Sequence, residues 1–151
     1  KHRWIDRLVW SDRQWMNYIN NPNVKTYVLK EGQELAGYFE QIIDNSRKET
    51  EIAYFGILES YYGKKYGGYL LSEAIKKSFQ NDTKRVWVHT CSLDHKHALN
   101  NYLARGMNIF KTEKVQRILG FTDSASFFKS KLFERILRFR IFYIERILGF
   151  R

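Results

Sequence analysis

The sequence predicts an α/β fold: a mixed central sheet flanked by helices, with a C-terminal amphipathic helix. Three observations lead there. The apolar period alternates between two and 3.6 along residues 11–113, as it does when strands and helices share one core. The run at 51–58 is almost continuously apolar, which suits a strand at a sheet centre. Finally, 151 residues with 44% hydrophobic and 28% charged side chains suit one globular body large enough for a real core.

Each element has its own signal. Ser11 precedes Asp12, and Trp15, Tyr18 and Ile19 follow at helical spacing, so a helix begins at a serine cap. "NNPN" at 20–23 is turn chemistry. Residues 24–30 and 35–43 read as two strands joined at Gly32, and 51–58 as the third. From Tyr66 the pairs Leu70/Ala74, Leu71/Ile75 and Ile75/Phe79 stand four apart, giving a helix to about Gln80. "RVWVHT" (85–90) alternates as a strand. Residues 93–105 read as a helix capped by Asp94 and stopped by Gly106, and 107–113 as a last strand.

Composition narrows the class. A lone cysteine, Cys91, excludes an intrachain disulfide framework and fits a reducing compartment, so a cytoplasmic location is expected. No stretch reaches the ~18 apolar residues of a membrane span. The net charge of +10 leans toward the C-terminus, where residues 111–151 hold ten Lys/Arg against four Asp/Glu. Such a surface attracts nucleic acid, anionic lipid or a polyanionic small molecule.

"ESYYGKKYGGYLL" (59–71) joins the apolar strand to a helix start. Gly63, Gly67 and Gly68 surround Lys64 and Lys65. A helix N-terminus presents unpaired N–H groups, and glycines let a phosphate approach them closely. The plainer alternative is a strand–helix turn that needs glycine for its own geometry. Neither GxxxxGK[ST] nor GxGxxG occurs here, which removes two nucleotide loops.

This strand–loop–helix resembles the acetyl-CoA site of the GNAT N-acetyltransferases, in a bacterial branch. Their loop reads Gln/Arg-x-x-Gly-x-Gly/Ala, against Tyr62-Gly63-Lys64-Lys65-Tyr66-Gly67 here, followed by Gly68. Tyr62 and Lys65 depart from it, and Gly67 matches. Later, Ala98, Tyr102 and Gly106 keep the family's four-residue spacing, while His95 stands where asparagine is frequent and Met107 replaces an aromatic. "WIDRLVWSDRQW" and "EIAYFGILESYYG" are also similar to that branch, so the likeness spans roughly residues 4–113. The branch has one more strand before "RWIDRLVW" than this sequence shows.

The resemblance implies an acyltransferase that moves acetyl from acetyl-CoA directly to an amine. It implies a backbone N–H at Ile57 or Leu58 for the thioester carbonyl. It implies that Tyr62, Gly63, Lys64, Lys65, Tyr66, Gly67, Gly68 and Asn101 hold the donor. Tyr102 becomes the acid toward the departing thiolate, its alternative being simple packing between helix and sheet. Glu51 is preferred to Glu40 as base, unless both are ordinary strand-end charges. Trp4, Trp10, Trp15, Tyr18 and Tyr54 either wall an acceptor pocket or belong to the core.

His89, Cys91, Asp94, His95 and His97 are five metal-ligating types in nine residues, but Asp94 reads as a cap and no second cluster exists, so no metal is expected. The domain expectation is 1–113 for the acetyltransferase, N-terminally incomplete, and 114–151 for a basic helical extension. In that extension "QRILGF", "ERILRF" and "ERILGF" recur, and 126–148 shows a broad Phe/Ile/Leu arc. The arc is expected to dock on protein, including a second copy as a homodimer, ahead of a membrane surface. Mixed charges and the lack of a reading motif argue against nucleic acid. Deleting 122–151 is then expected to leave an acetyl-CoA-binding fold. The rival functions are a non-catalytic acyl-CoA-binding module and a membrane-surface adaptor.

Overall fold

The computed structural model describes residues 7–80, 82–118 and 133–144. The elements are α1 (Asp12–Ile19), β1 (Val24–Glu31), β2 (Glu34–Asp44), β3 (Glu49–Ile57), α2 (Tyr66–Phe79), β4 (Arg85–Cys91), α3 (Ala98–Leu103), β5 (Asn108–Ile118) and β6 (Phe133–Ile144). Six strands form one sheet in the order β1-β2-β3-β4-β6-β5. β1, β2 and β3 make an antiparallel meander, α2 crosses over to bring β4 parallel to β3, and β6 runs antiparallel to both its neighbours.

Local chemistry explains the ends. Ser11 and Gln14 form a reciprocal capping box at α1, each satisfying a backbone N–H of the other's turn. α2 covers one sheet face because Leu70, Leu71, Ala74 and Ser78 recur on one side of it. Leu71, Phe39, Ile52 and Val86 are at most 1% exposed and form the centre of the core, each large apolar group contributing roughly 1.5–3 kcal/mol by burial. Gln41 is buried there too, and its amide nitrogen donates to the Ala74 carbonyl at 2.9 Å and to Ser78 Oγ at 2.7 Å, which pins β2 to α2.

The other face carries Arg7. Its guanidinium bridges both Glu40 oxygens at 2.6 and 3.1 Å, lies 4.1 Å from the Tyr18 ring and 4.0 Å from that of Tyr54, and also faces Trp10 and Trp15. Tyr18 hydroxyl also donates to Glu40. Trp10, Trp15, Tyr18 and Tyr54 therefore gather around an arginine, where an acceptor wall was one expectation. Trp4 lies outside the described residues.

Two expected elements change. Residues 133–144 are a strand, not part of a helix; the rest of the expected helix lies outside the described residues. The stretch FERILRFRIFYI is dense in Phe, Ile and Tyr, and such residues favour strands when neighbours are available on both edges. β4 and β5 supply those neighbours, with Arg85–Cys91 paired to Arg138–Ile144 on one edge. Helical periodicity and a two-sided apolar strand look alike over twelve residues. The expected boundary at 113/114 falls inside β5. The second change is at the 93–105 helix, where only Ala98–Leu103 is α-helical and His97 is its N-cap.

β6 is the antiparallel neighbour of both β4 and β5, so the earlier expectation for the truncated chain reverses. Deletion of 122–151 should abolish the cooperative urea transition seen by circular dichroism. A truncated chain that unfolds with an unchanged midpoint would contradict the placement of β6.

Candidate active site

The site begins where the sheet comes apart. β3 and β4 pair over four residues only, Glu49–Ile52 against Arg85–Val88. Beyond them β3 stays with β2 as far as Ile57, and β4 stays with β6 as far as Cys91. Leu58 N–H donates to the Ala36 carbonyl at 2.9 Å, across to β2. Antiparallel strands alternate the direction of successive amides, so Phe55 and Ile57 turn theirs to the opposite edge, into the gap. Of the two amides expected from the sequence, Leu58's is thus engaged in the sheet and Ile57's faces the gap, joined by Phe55's.

The loop after β3 sets the second wall. A 3₁₀ turn (Glu59–Tyr61) leads to Gly63 with φ of 81° and Lys65 with φ of 63°, and α2 starts at Tyr66. A non-glycine residue in the left-handed region costs about 1–2 kcal/mol, so Lys65 holds a strained backbone. Gly68 and Tyr69 N–H groups close on the Lys65 carbonyl at 3.2 and 3.4 Å. Helix geometry leaves the Tyr66 and Gly67 amides without intrahelical acceptors, at the positive end of the α2 dipole.

The two lysines separate. Lys64 Nζ meets both Glu31 oxygens at 2.7 and 3.0 Å, and Tyr66 hydroxyl donates to the same carboxylate. Hydrogen bonds from Lys64 and Tyr66 hold Glu31 below the usual carboxylate range. Lys64 is drawn to the β1–β2 turn, while Lys65 lines the cleft.

α3 is strapped to the same loop. Asn101 Nδ2 donates to the Gly67 carbonyl at 3.1 Å, and Arg105 Nε donates to the Gly68 carbonyl at 2.7 Å. Arg105 Nη1 also donates to Asn101 Oδ1 at 2.6 Å. A Cβ on Gly68 would fall on that guanidinium, so glycine there makes room for the strap. Arg105 was missed in the sequence because "ARG" at 104–106 reads only as a helix stop.

The strap places Tyr102, which is 5% exposed and meets Phe55 edge-on at 6.3 Å between ring centres. Burial, reinforced by the Asp94 carboxylate, pushes the Tyr102 phenol well above its ordinary pKa. Asp94 does not cap α3; it accepts from Thr90 Oγ1 at 2.7 Å and from Cys91 N–H at 3.1 Å, closing the turn after β4. That turn brings His95 against Tyr62 at 5.2 Å.

Together these parts enclose a cleft of about 690 Å³, a size ordinary for small-molecule sites. Of the residues the family likeness singled out, Ile57, Leu58, Tyr62, Gly63, Lys65, Tyr66, Gly67, Gly68, Asn101 and Tyr102 line it. Lys64 and Glu51 do not. Glu51 meets His89 Nδ1 at 3.0 Å on the sheet face away from α2, and Glu40 is held by Arg7. The cleft also takes in Gly37, Tyr38, Phe55 and Gly56, which sequence reasoning passed over. Gly37 had a readable signal: glycine inside a strand marks close backbone approach. A Cβ on it would stand 2.6 Å from the Gly56 carbonyl oxygen.

With this geometry the comparisons agree. The model of the Acetyltransferase (GNAT) family matches residues 1–107, and the chain belongs to that family. It is an acetyltransferase by that membership. No curated protein matches the sequence. Among solved structures, a Bacillus subtilis acetyltransferase in complex with CoA superposes with a TM-score of 0.65 at 18% identity, over 87% of this chain and 83% of that one. An IAA acetyltransferase from Bacillus cereus gives 0.63 at 22%, over 89% and 85%. The ribosomal-protein-S18-alanine N-acetyltransferase of Escherichia coli gives 0.65 at 12%, over 89% and 77%. At these identities the likeness is one of fold.

Proposed function

We propose that the cleft binds acetyl-CoA as donor and that the protein transfers its acetyl group directly to a primary amine. One observation carries this reading: the unpaired edge of β3, the N-terminus of α2 and the Tyr102 phenol all border a single cleft. A thioester donor with an amide-bearing arm and a pyrophosphate needs these three things. The Phe55 and Ile57 amides suit the arm and the thioester carbonyl. The Tyr66 and Gly67 amides, with Lys65, suit the pyrophosphate. The CoA in the Bacillus subtilis relative supports the same donor. The single half-buried Cys91, and the bacterial sources of the relatives named above, support a bacterial cytoplasmic setting.

The chemistry follows from the placement. A neutral amine attacks the carbonyl carbon, and charge grows on the carbonyl oxygen. A fixed backbone donor on β3 stabilises that charge without reorganising. The carbon–sulfur bond then breaks and its electron pair leaves on sulfur. Thiols have a reference pKa of about 8.5, whereas burial holds the Tyr102 phenol higher than its ordinary value. Tyr102 therefore keeps its proton throughout the neutral range. It hydrogen-bonds to the sulfur as charge appears, and the second amine proton replaces whatever it gives up.

The reading is tested by calorimetric titration with acetyl-CoA, followed by thiol release on a panel of primary amines; binding without release on any of them would favour the non-catalytic module. Two substitutions sharpen it. Lys65→Glu should weaken acetyl-CoA binding by roughly tenfold or more, since it reverses a cleft charge, while Lys64→Glu should change it by less than about threefold. Equal losses would refute the separation of the two lysines. Tyr102→Phe should lower kcat by roughly 10²-fold and leave the acetyl-CoA dissociation constant unchanged, the pattern of a group acting in the transition state. Wild-type turnover on an amine with rate-limiting chemistry would show that another group donates.

A further inference from the structure

Three glutamates of β2 and β3 stand on the sheet face away from α2: Glu40, Glu49 and Glu51. Glu40 is held by Arg7 and Glu49 by Arg85 Nη1 at 2.9 Å. Guanidinium keeps its proton at any working pH. Glu51 alone of the three pairs with an imidazole, at 3.0 Å from His89 Nδ1. Imidazole is the side chain that exchanges a proton near neutrality.

The pair is well placed. Ile52–Val88 is the last β3–β4 pair, so His89 is the first residue of β4 at the mouth of the gap. Val86 and Val88 face the core, which turns Trp87 and His89 to the opposite face, with Trp87 4.8 Å from the His89 ring. Phe39 and Gln41 face the α2 side, so Tyr38, next to Phe39, looks the other way, and Tyr38 lines the cleft. Tyr38 thus borders both the cleft and the face that carries the pair, while His89 and Glu51 stand just outside the cleft lining. His89 is 46% and Glu51 21% exposed in the side chain, so the pair is open to solvent and to solutes on that face.

Resting on the acetyl-transfer reading, we propose that His89 is the group that takes the acceptor's proton and that Glu51 acts through it. Glu51 accepts from Nδ1–H, which fixes the tautomer and leaves Nε2 as the basic nitrogen. Nε2 removes one proton from the ammonium, directly or through a water. The freed lone pair forms the carbon–nitrogen bond as the carbon–sulfur bond breaks. The amine's second proton goes to the sulfur by way of Tyr102, and His89 returns its own to solvent. His89 is thus the catalytic residue and Glu51 a positioning residue. Among the described side chains, the titratable neighbours of His89 are Glu51 on β3 and Cys91 two residues on along β4.

The test uses the full chain, acetyl-CoA, and benzylamine, tyramine, agmatine and spermidine as acceptors. His89→Ala should lower kcat by roughly 10²-fold, keep acetyl-CoA affinity, remove the acidic limb of the kcat/KM–pH profile, and regain activity with added imidazole. Glu51→Gln should lower kcat by roughly tenfold with acetyl-CoA affinity unchanged, and nitrogen NMR should show the neutral His89 ring losing its preference for the Nδ1–H tautomer. A merely structural surface pair moves neither the limb nor the rescue. A His89→Ala protein with the wild-type profile, or a His89 tautomer indifferent to Glu51→Gln, overturns the proposal. If the wild-type protein releases no thiol with any of these amines, acetyl transfer itself fails on them; the NMR tautomer readout, which needs no acceptor, still judges the pair.

Discussion

Everything at the site depends on β3 and β4 parting after four residue pairs. A parallel pair that continued would consume the Phe55 and Ile57 amides in the ladder and close the cleft. The parting is held open from both sides. β3 is kept with β2 by pairing that runs to Gly37–Ile57, and β4 is kept with β6 by seven consecutive pairs. Each strand satisfies one edge with its outer neighbour and leaves the inner edge to a ligand. Buried backbone donors without partners cost free energy, so such an edge persists only where water or a ligand can reach it.

The two faces of the sheet divide the labour. On one, α2 seals the core through Leu70, Leu71 and Ala74 and aims its N-terminus into the cleft. The Asn101–Arg105 strap then ties α3, and with it Tyr102, to the Gly67 and Gly68 carbonyls. Donor loop and phenol are thereby coupled through two side chains. On the other face, Arg7 and its ring of aromatics clamp Glu40, so the segment before α1 closes over β2 and β3. Glu40 is thus held by two partners at once, the Arg7 guanidinium and the Tyr18 hydroxyl.

Much of this could be read from the residues, and what could not has physical reasons. Local signals carried α1, α2 and the first four strands, because capping, turn glycines and periodicity act over a few residues. The loop glycines and Tyr102 were singled out through the family likeness, and they line one cleft. Pairing geometry stayed hidden: the engagement of Leu58's amide follows from register, which no local pattern encodes. Lys64 and Lys65 are adjacent in sequence, yet Glu31, 33 residues earlier, draws one of them away. The helix expected over β6 gave way to a strand because a segment paired on both edges can carry the same broad apolar pattern as a docked helix. The Glu51–His89 pair joins residues 38 apart, so neither predicts the other from spacing.

Amide hydrogen exchange at three neighbouring residues tests the parted edge most directly. In the free protein Leu58 should exchange slowly, because its amide is bonded to Ala36, while Phe55 and Ile57 exchange fast. Saturating acetyl-CoA should slow Phe55 and Ile57 by roughly tenfold or more and leave Leu58 as it was. If Phe55 and Ile57 are already as protected as Leu58 without acetyl-CoA, or stay fast with it bound, the gap between β3 and β4 is not the donor site.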